Sequence, residues 1–310
     1  MIYPKISDLP RAQINKKEWP WNRHDLSIID SFKNESLWPL ISIVTPSYNQ
    51  GQFLEQTIRS VLLQGYPNLE YIIIDGGSTD GSLDIIRKYD PWLSYWESVK
   101  DRGQSHAINK GFSQANGIIF GWLNSDDYLY PDAFLSLVDL RRKNPGSIAW
   151  VGACQEVDIN GGRLRKKFPK IGDAEQIGNW SNEAWIPQPS CLFDAESFKN
   201  VGMLDEDLNF VMDVDLWMKL SKIGPFAGTD KIISYARMYA GIKTRINIPM
   251  QQAELILICF KQGFPKVAQK RMENCMIFRL DAWPYRKLLK YFLGRTIDWM
   301  WKSFKWLCRV

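Results

Sequence analysis

Apolar positions change their period several times along this chain, and the changes mark out its elements. Ile41-Ser42-Ile43-Val44 reads as a buried strand, stopped by Thr45-Pro46-Ser47. Leu54, Ile58, Val61 and Leu62 then fall at i, i+4, i+7 and i+8, one face of a helix that Gly65 and Pro67 end. Tyr71-Ile72-Ile73-Ile74 is a second strand, stopped by Asp75-Gly76-Gly77. Ser78 or Asp80 can cap the next helix, whose apolar face carries Leu83, Ile86 and Ile85. Strand, helix and strand within about thirty residues form a βαβ unit, which predicts a parallel sheet with a right-handed crossover. A third apolar run, Ile118 to Leu123, ends in Asn124-Ser125-Asp126-Asp127. Between these, a short helix from Ala107 to Phe112 follows the polar loop Asp101-Arg102-Gly103-Gln104-Ser105. Further on, Leu216, Trp217 and Leu220 have helical spacing, with Asp213 in the first turn.

The expected class is therefore α/β, a mostly parallel open sheet flanked by helices. Residues 1–40 lack a clear period and read as an extension packed on the body; the regular part covers 41–245, and 246–310 reads as a helical extension. With 310 residues, 45% hydrophobic and 24% charged, the chain is globular rather than disordered. Five scattered cysteines form no C-x-x-C pair, which argues against a thiolate zinc site and for a reducing compartment. Two histidines exclude multi-histidine metal sites, so any metal must rest mainly on carboxylates. No secretory leader is expected, and the longest apolar run, Leu255 to Phe260, is far too short to span a membrane.

Each buried strand ends in a polar or acidic cluster: Thr45 to Asn49, Asp75 to Asp80, and Asn124 to Asp127. In open α/β sheets ligands bind outside the carboxyl ends of the strands, so these clusters describe one rim of a polar ligand site. Asp126 and Asp127 are adjacent and repel; a hard cation would offset this, and a solvated capping turn is the alternative. The glycine-rich stretch Asp75 to Ser82 opens a helix, where backbone N–H groups favour anions, or is an ordinary turn. Asp213 is either a cap, favoured by the helix dipole, or a general base.

In this order and spacing the motifs resemble the inverting nucleotide-sugar glycosyltransferases of the family 2 type, with the GT-A fold. The resemblance runs from about Ile41 to Thr244 and rests on Ser42 to Asn49, Asp75 to Gly81, Asp101-x-Gly103, Ala107-x-Asn109-x-Gly111, Asn124 to Asp127, Gln188-Pro189-Ser190 and Met212-Asp213-x-Asp215-Leu216-Trp217. It implies a Rossmann-like nucleotide-binding half. Thr45, Pro46, Tyr48 and Asn49 would line the donor pocket from the first strand, and Asp75, Gly76 and Ser78 from the second. Asp101, Gln104, Asn109, Asp126 and Lys243 would complete the nucleotide and donor contacts. Asp127 would ligate Mn2+ or Mg2+, Asp213 would be the catalytic base, and Trp185, Gln188, Asp215 and Trp217 would lie on the acceptor side, with a structural role as the alternative for Asp215. Implied partners are a UDP-, dTDP- or GDP-sugar and a glycan or lipid-linked acceptor, with a role in cell-surface polysaccharide synthesis. Three positions depart from the pattern. Gly76 stands where many relatives have a second Asp, Asn124 opens the D-x-D-like triplet, and Tyr239 replaces a frequent His.

Charge separates the tail from the body. Lys266 to Val310 holds eleven Lys or Arg against three acids, a surplus of eight, so the rest carries −3 of the overall +5. Between Trp283 and Val310 aromatics and cations interleave, which fits a helix on an anionic membrane surface or a helical pair covering the sheet. The first reading places the protein in the cytoplasm, peripheral to the inner face of the membrane. Nucleic acid is not an expected partner, since the acidic site gives it no purpose. Two other classes remain open: a sugar-phosphate nucleotidyltransferase and a non-catalytic sugar-nucleotide-binding protein.

Overall fold

A computed structural model of the chain describes residues 4–11, 18–22, 38–180, 183–243 and 247–280, with side chains through Cys275. Strands β1 (Ile41–Ser47), β2 (Leu69–Asp75), β3 (Tyr95–Ser98) and β4 (Ile119–Trp122) pair in parallel in the order β3-β2-β1-β4. The helices α1 (Gly51–Leu62), α2 (Ser82–Tyr89) and α3 (Gln104–Ser113) connect them, as the βαβ reading requires. Beyond β4 the sheet becomes mixed. It takes in the short β5 (Tyr128–Leu129), β6 (Ala149–Val157), the edge strand β7 (Arg163–Lys167), β8 (Cys191–Asp194) and β9 (Phe226–Arg237). Here β8 runs antiparallel to β4 and to β6, whereas β6 and β9 are parallel.

Side chains on the parallel strands alternate between two cores. Ile41, Ile43, Tyr71 and Ile73 meet Leu54, Ile58 and Ile86 of α1 and α2 on one face. Val44, Ile72, Ile74, Phe120 and Trp122 meet α3 and α7 (Met212–Ser221) on the other. Trp217 of α7 is fully buried there, stacked on Trp122 at 5.7 Å and 13°.

β1 continues through Thr45-Pro46-Ser47, where the sequence pattern places a stop. The hydrogen-bond alternation explains the tolerance of proline. Val44 accepts from Leu123 on the β4 side and Ser47 accepts from Gly76 on the β2 side, so Pro46 faces the β4 side beyond the last β1–β4 pair. No partner there needs its missing N–H. At the far end of α1, Gly65 takes φ +64°, the left-handed turn that the sequence assigns to a glycine.

Three helices complete the described structure around the site: α4 (Ala133–Lys143) after β5, and α8 (Ile248–Lys261) and α9 (Pro265–Leu280) at the C-terminal side. Two short helices, α5 (Ala174–Gly178) and α6 (Ala195–Asn200), flank β8 in sequence. Described parts of the N-terminal segment pack against α1. The Arg59 guanidinium donates to the carbonyls of Pro10 and Pro20, and Trp19 Nε1 donates to Leu129 O at 2.8 Å. No helix among the described residues is long and apolar enough to cross a membrane. The basic-aromatic segment from Trp283 onward, Thr244 and Cys308 lie outside the described residues.

Candidate active site

Strand order reverses between β1 and β4, and this switch point opens a cleft of about 1590 Å³. Pro46, Tyr48, Asp101, Gln104, Asp126, Asp127, Trp185, Gln188, Asp213 and Lys243 line it. Ten of the positions assigned from the sequence therefore meet in one concavity, although the chain places Pro46 and Lys243 almost two hundred residues apart.

The β1 and β2 ends form a locked pair of loops. Asn49, at φ +52°, accepts from Thr79 N at 2.9 Å, and its own N–H donates to Ser78 Oγ at 2.8 Å. Asp75 is fully buried and accepts from Gly77 N, Ser78 N, Ser78 Oγ and Ser98 Oγ. Thr45, also fully buried, lies 3.0 Å from the Tyr71 hydroxyl. These four residues, expected as donor contacts, support the rim from below and do not line the cleft. Asp80 serves two helices at once, accepting from Gly51 N at 2.8 Å and from Ser82 N at 3.1 Å. Gly76 is small for a spatial reason. A Cβ there would lie 2.8 Å from Asp101 Oδ2 and 3.3 Å from Tyr48 Cδ2.

The β4 end presents the acidic pair. Asp127 accepts from Arg237 N at 3.0 Å, and Asp126 accepts from the Tyr239 hydroxyl at 2.9 Å. Burial, and then the neighbouring Asp126 charge, push Asp127 well above the usual carboxylate range; burial also raises Asp126. The counter-charge is Arg237, whose guanidinium donates to Asp126 O and sits between the Phe53 and Tyr128 rings at 4.5 and 4.9 Å. Arg237 escaped the sequence reading. An arginine ending an apolar strand is the signal that could have found it. Tyr239, in the position of a frequent His, holds the first acid through its hydroxyl, and burial raises its own pKa to about 12.

Each acid has one oxygen so engaged and one with no hydrogen bond among the described residues. No cluster of three metal-ligating side chains occurs among the described residues. The donor set thus fits a hard cation that takes one or two carboxylates and completes its shell with substrate phosphate and water.

Neutral amides bridge the cleft floor. Gln104 Nε2 donates to Asn124 Oδ1 at 2.7 Å, and Gln188 Nε2 donates to Trp122 O at 2.8 Å beside Asn124. Asp213 opens α7 with a partly exposed carboxylate. Its Oδ1 accepts from Val214 N at 2.9 Å, and burial raises its pKa to about 6. Lys243 is exposed at the rim, 5.5 Å from the Phe210 ring.

Three further assigned residues lie away from the cleft lining. Asp215 is 2% exposed, paired with Lys219 at 2.6 Å and accepting from Gln262 at 2.9 Å, so it ties α7 to the end of α8, the structural alternative of the two roles expected for it. Trp217 lies in the core and is likewise out of reach. Asn109 exchanges hydrogen bonds with the Leu204 backbone and reaches Glu206, fixing α3 to that loop. The extension after residue 245 is not separate from the site. Glu254 accepts from Asn209 N and Phe210 N just before α7, and Arg271 lines the cleft.

The family model described as glycosyl transferase family 2 matches residues 42–202. The chain belongs to this family. A curated relative, an uncharacterized glycosyltransferase of Rickettsia conorii, is 30% identical over 65% of this chain and 34% of its own length. The chain thus spans about a third of the length of that relative. Among solved structures, S. aureus TarS 1-349 in complex with UDP-GlcNAc superposes with a TM-score of 0.58, at 18% identity over 76% of this chain and 71% of that one. The mannosyltransferase PcManGT from Pyrobaculum calidifontis, in complex with GDP-Man and Mn2+, gives 0.56 at 15% identity, covering 86% and 83%. These likenesses place the fold among GT-A glycosyltransferases.

Proposed function

We propose that the chain transfers a glycosyl group from a nucleoside diphosphate sugar to a hydroxyl of a glycan or lipid-linked acceptor, with inversion. One observation carries this reading. A single cleft at the switch point holds an adjacent pair of carboxylates, Asp127 buried and Asp126 partly exposed, and a separate, partly exposed carboxylate with a pKa pushed up to about 6. The UDP-GlcNAc and GDP-Man complexes of the structural neighbours support a nucleotide-sugar donor, and the Mn2+ complex supports a divalent cation.

In this reading Asp127, with Asp126 beside it, holds Mg2+ or Mn2+. Such an ion, when bound, neutralises charge on the leaving diphosphate. Tyr48 and Asp101 flank the donor at the Gly76 rim, and Lys243 reaches toward the phosphates. Asp213 accepts the proton of the acceptor hydroxyl, a role that a pKa near neutrality suits. The acceptor oxygen bonds to the anomeric carbon as the bond to the phosphate oxygen breaks, and the nucleoside diphosphate leaves. A single in-line displacement inverts the centre without a covalent enzyme intermediate.

The catalytic unit is residues 41–245, with the later helices bracing it. The product belongs to a cell-surface polysaccharide, and the segment after Trp283 holds the enzyme at the inner face of the membrane. Against a nucleotidyltransferase stands the β1 end, Thr45 to Asn49, which has no glycine-rich loop followed by a basic residue. Against a non-catalytic binder stand Asp127 and Asp213, both present at the cleft.

The test is a panel of UDP-, dTDP- and GDP-sugars, scored for thermal stabilisation and for release of nucleoside diphosphate, with and without Mn2+. Stabilisation by one class, with cation-dependent release, is expected. Absence of binding to every donor overturns the proposal. Pyrophosphate formation from a nucleoside triphosphate and a sugar phosphate replaces it with the nucleotidyltransferase reading.

A further inference from the structure

Acids and bases lining the cleft are equal in number but are not all paired with one another. Arg237 faces Asp126 and Asp127, and Arg165 of β7 is paired with Glu156. Lys167 and Arg271, by contrast, have no carboxylate within ion-pair distance among the described residues. Lys167 Nζ lies 4.6 Å from the centre of the Trp185 ring, and Trp185 packs on Trp180 at 4.9 Å. Arg271 reaches the same wall from α9, donating to Trp180 O at 3.0 Å, Gly178 O at 2.8 Å and Gln252 Oε1 at 3.3 Å. Lys167, the two indoles and, through the Trp180 backbone carbonyl, Arg271 therefore line one stretch of the cleft wall.

Arg271 is the decisive member. It is only 7% exposed, and every hydrogen-bond partner it has among the described residues is neutral. A buried charge is costly unless an opposite charge meets it. A guanidinium carries five N–H donors, of which three are engaged, so two remain for a ligand. Lys167 adds a second cation, partly exposed in the cleft wall. The two indoles are partly exposed in the cleft wall and add apolar surface against which a sugar ring can pack.

The geometry points to an acceptor subsite for an anionic glycan, in which a sugar ring lies on the Trp180–Trp185 pair while its phosphate or carboxylate meets Lys167 and Arg271. This rests on the glycosyl-transfer reading and adds to it the chemical class of the acceptor. Carboxylate and phosphodiester share the chemistry of recognition: both accept from guanidinium and ammonium groups through charge-assisted hydrogen bonds.

The experiment titrates the full chain, with UDP and Mn2+ present, against tetragalacturonate, a glycerol phosphate oligomer and neutral cellotetraose. Binding is read by tryptophan fluorescence and calorimetry, and UDP binding is measured in the same preparation. At least one anionic probe should bind at least tenfold more tightly than cellotetraose, and its advantage should shrink as salt rises. Whichever anion binds more tightly names the charged group. Lys167→Glu, on an edge strand, should weaken anionic binding at least tenfold with the melting temperature retained, and Arg271→Gln should weaken it also. If cellotetraose binds as tightly as the anions, or if Lys167→Glu leaves anionic affinity unchanged, the inference is wrong. UDP binding without any anionic glycan binding overturns the subsite alone. Glycan binding without any nucleotide binding keeps the subsite and overturns the donor reading.

Discussion

Replacing Asp213 with Asn should make the protein more stable and much less active, and the two effects share one cause. Burial lifts this carboxyl to about 6 in the folded chain. Relative to about 3.9 for an unfolded Asp, at 1.36 kcal/mol per pH unit, the penalty for holding it ionised is about 3 kcal/mol at most. Residual solvent contact reduces this to about 1–3 kcal/mol. The sign follows from the raised folded value. Below about pH 3 the group is protonated in both states and costs nothing. As pH rises from about 4 to about 6 the unfolded chain loses its proton first, so wild-type stability falls; above about 6 the loss is complete. Asp213→Asn keeps the shape and can still accept from Val214 N, without the ionisation. Its advantage should be near zero at about pH 3 and about 1–3 kcal/mol at pH 7.5, roughly 2–6 °C in melting temperature. Turnover should drop by about 10²–10⁴ with donor affinity nearly unchanged. Wild-type turnover should itself fall about tenfold per pH unit below about 6, as the base protonates. Scanning calorimetry at several pH values and steady-state kinetics on both proteins are the measurements. A variant less stable than wild type at pH 7.5, with turnover retained, would mean that Asp213 is a helix cap and proton removal is done elsewhere.

Other substitutions probe the remaining parts. Asp127→Ala should abolish most Mn2+-dependent UDP binding in a calorimetric titration; unchanged, still cation-dependent binding would remove Asp127 from the cation site. Gly76→Asp should weaken donor binding at least tenfold, because the new side chain meets the Asp101 carboxylate at contact distance; donor titration checks this. Trp217→Ala should cost about 3–5 kcal/mol of stability as a large core deletion, whereas Trp185→Ala should cost much less, as compared by denaturant unfolding. Removing the chain from Trp283 onward should reduce co-sedimentation with anionic liposomes, and raising salt should do the same to the intact protein. Indifference of the intact protein to liposomes at low salt would leave that segment a packing element.

Local pattern alone determined the βαβ core and the rim of the site. Strand faces must alternate with period two and helix faces with period 3.6, so Ile41 to Val44, Tyr71 to Ile74 and the Leu54-Ile58-Val61 stripe declare themselves without tertiary information. Polar clusters at the ends of such strands then have one place to go, the carboxyl edge of the sheet. The mixed half from β5 to β9 was not legible this way, because its order depends on long-range pairings such as β6 with β9. Nor was the division of labour among the acids. Asp75, Asp126, Asp127, Asp213 and Asp215 look alike in sequence, yet Asp75 is consumed by a turn, Asp215 by Lys219 and Gln262, and Asp213 alone keeps a partly open face on α7. Trp217 illustrates the limit: it follows the proposed base by four residues on nearly the same helix face, but lies one turn, about 6 Å, further along the helix, where it packs in the core against Trp122. Arg237, Glu254 and Arg271 act through distant parts of the chain, so only the folded arrangement assigns them a counter-charge, a loop anchor and a place in the cleft wall. Periodicity is a property of neighbours in sequence, whereas burial, ion pairing and the pKa of a carboxyl are properties of neighbours in space.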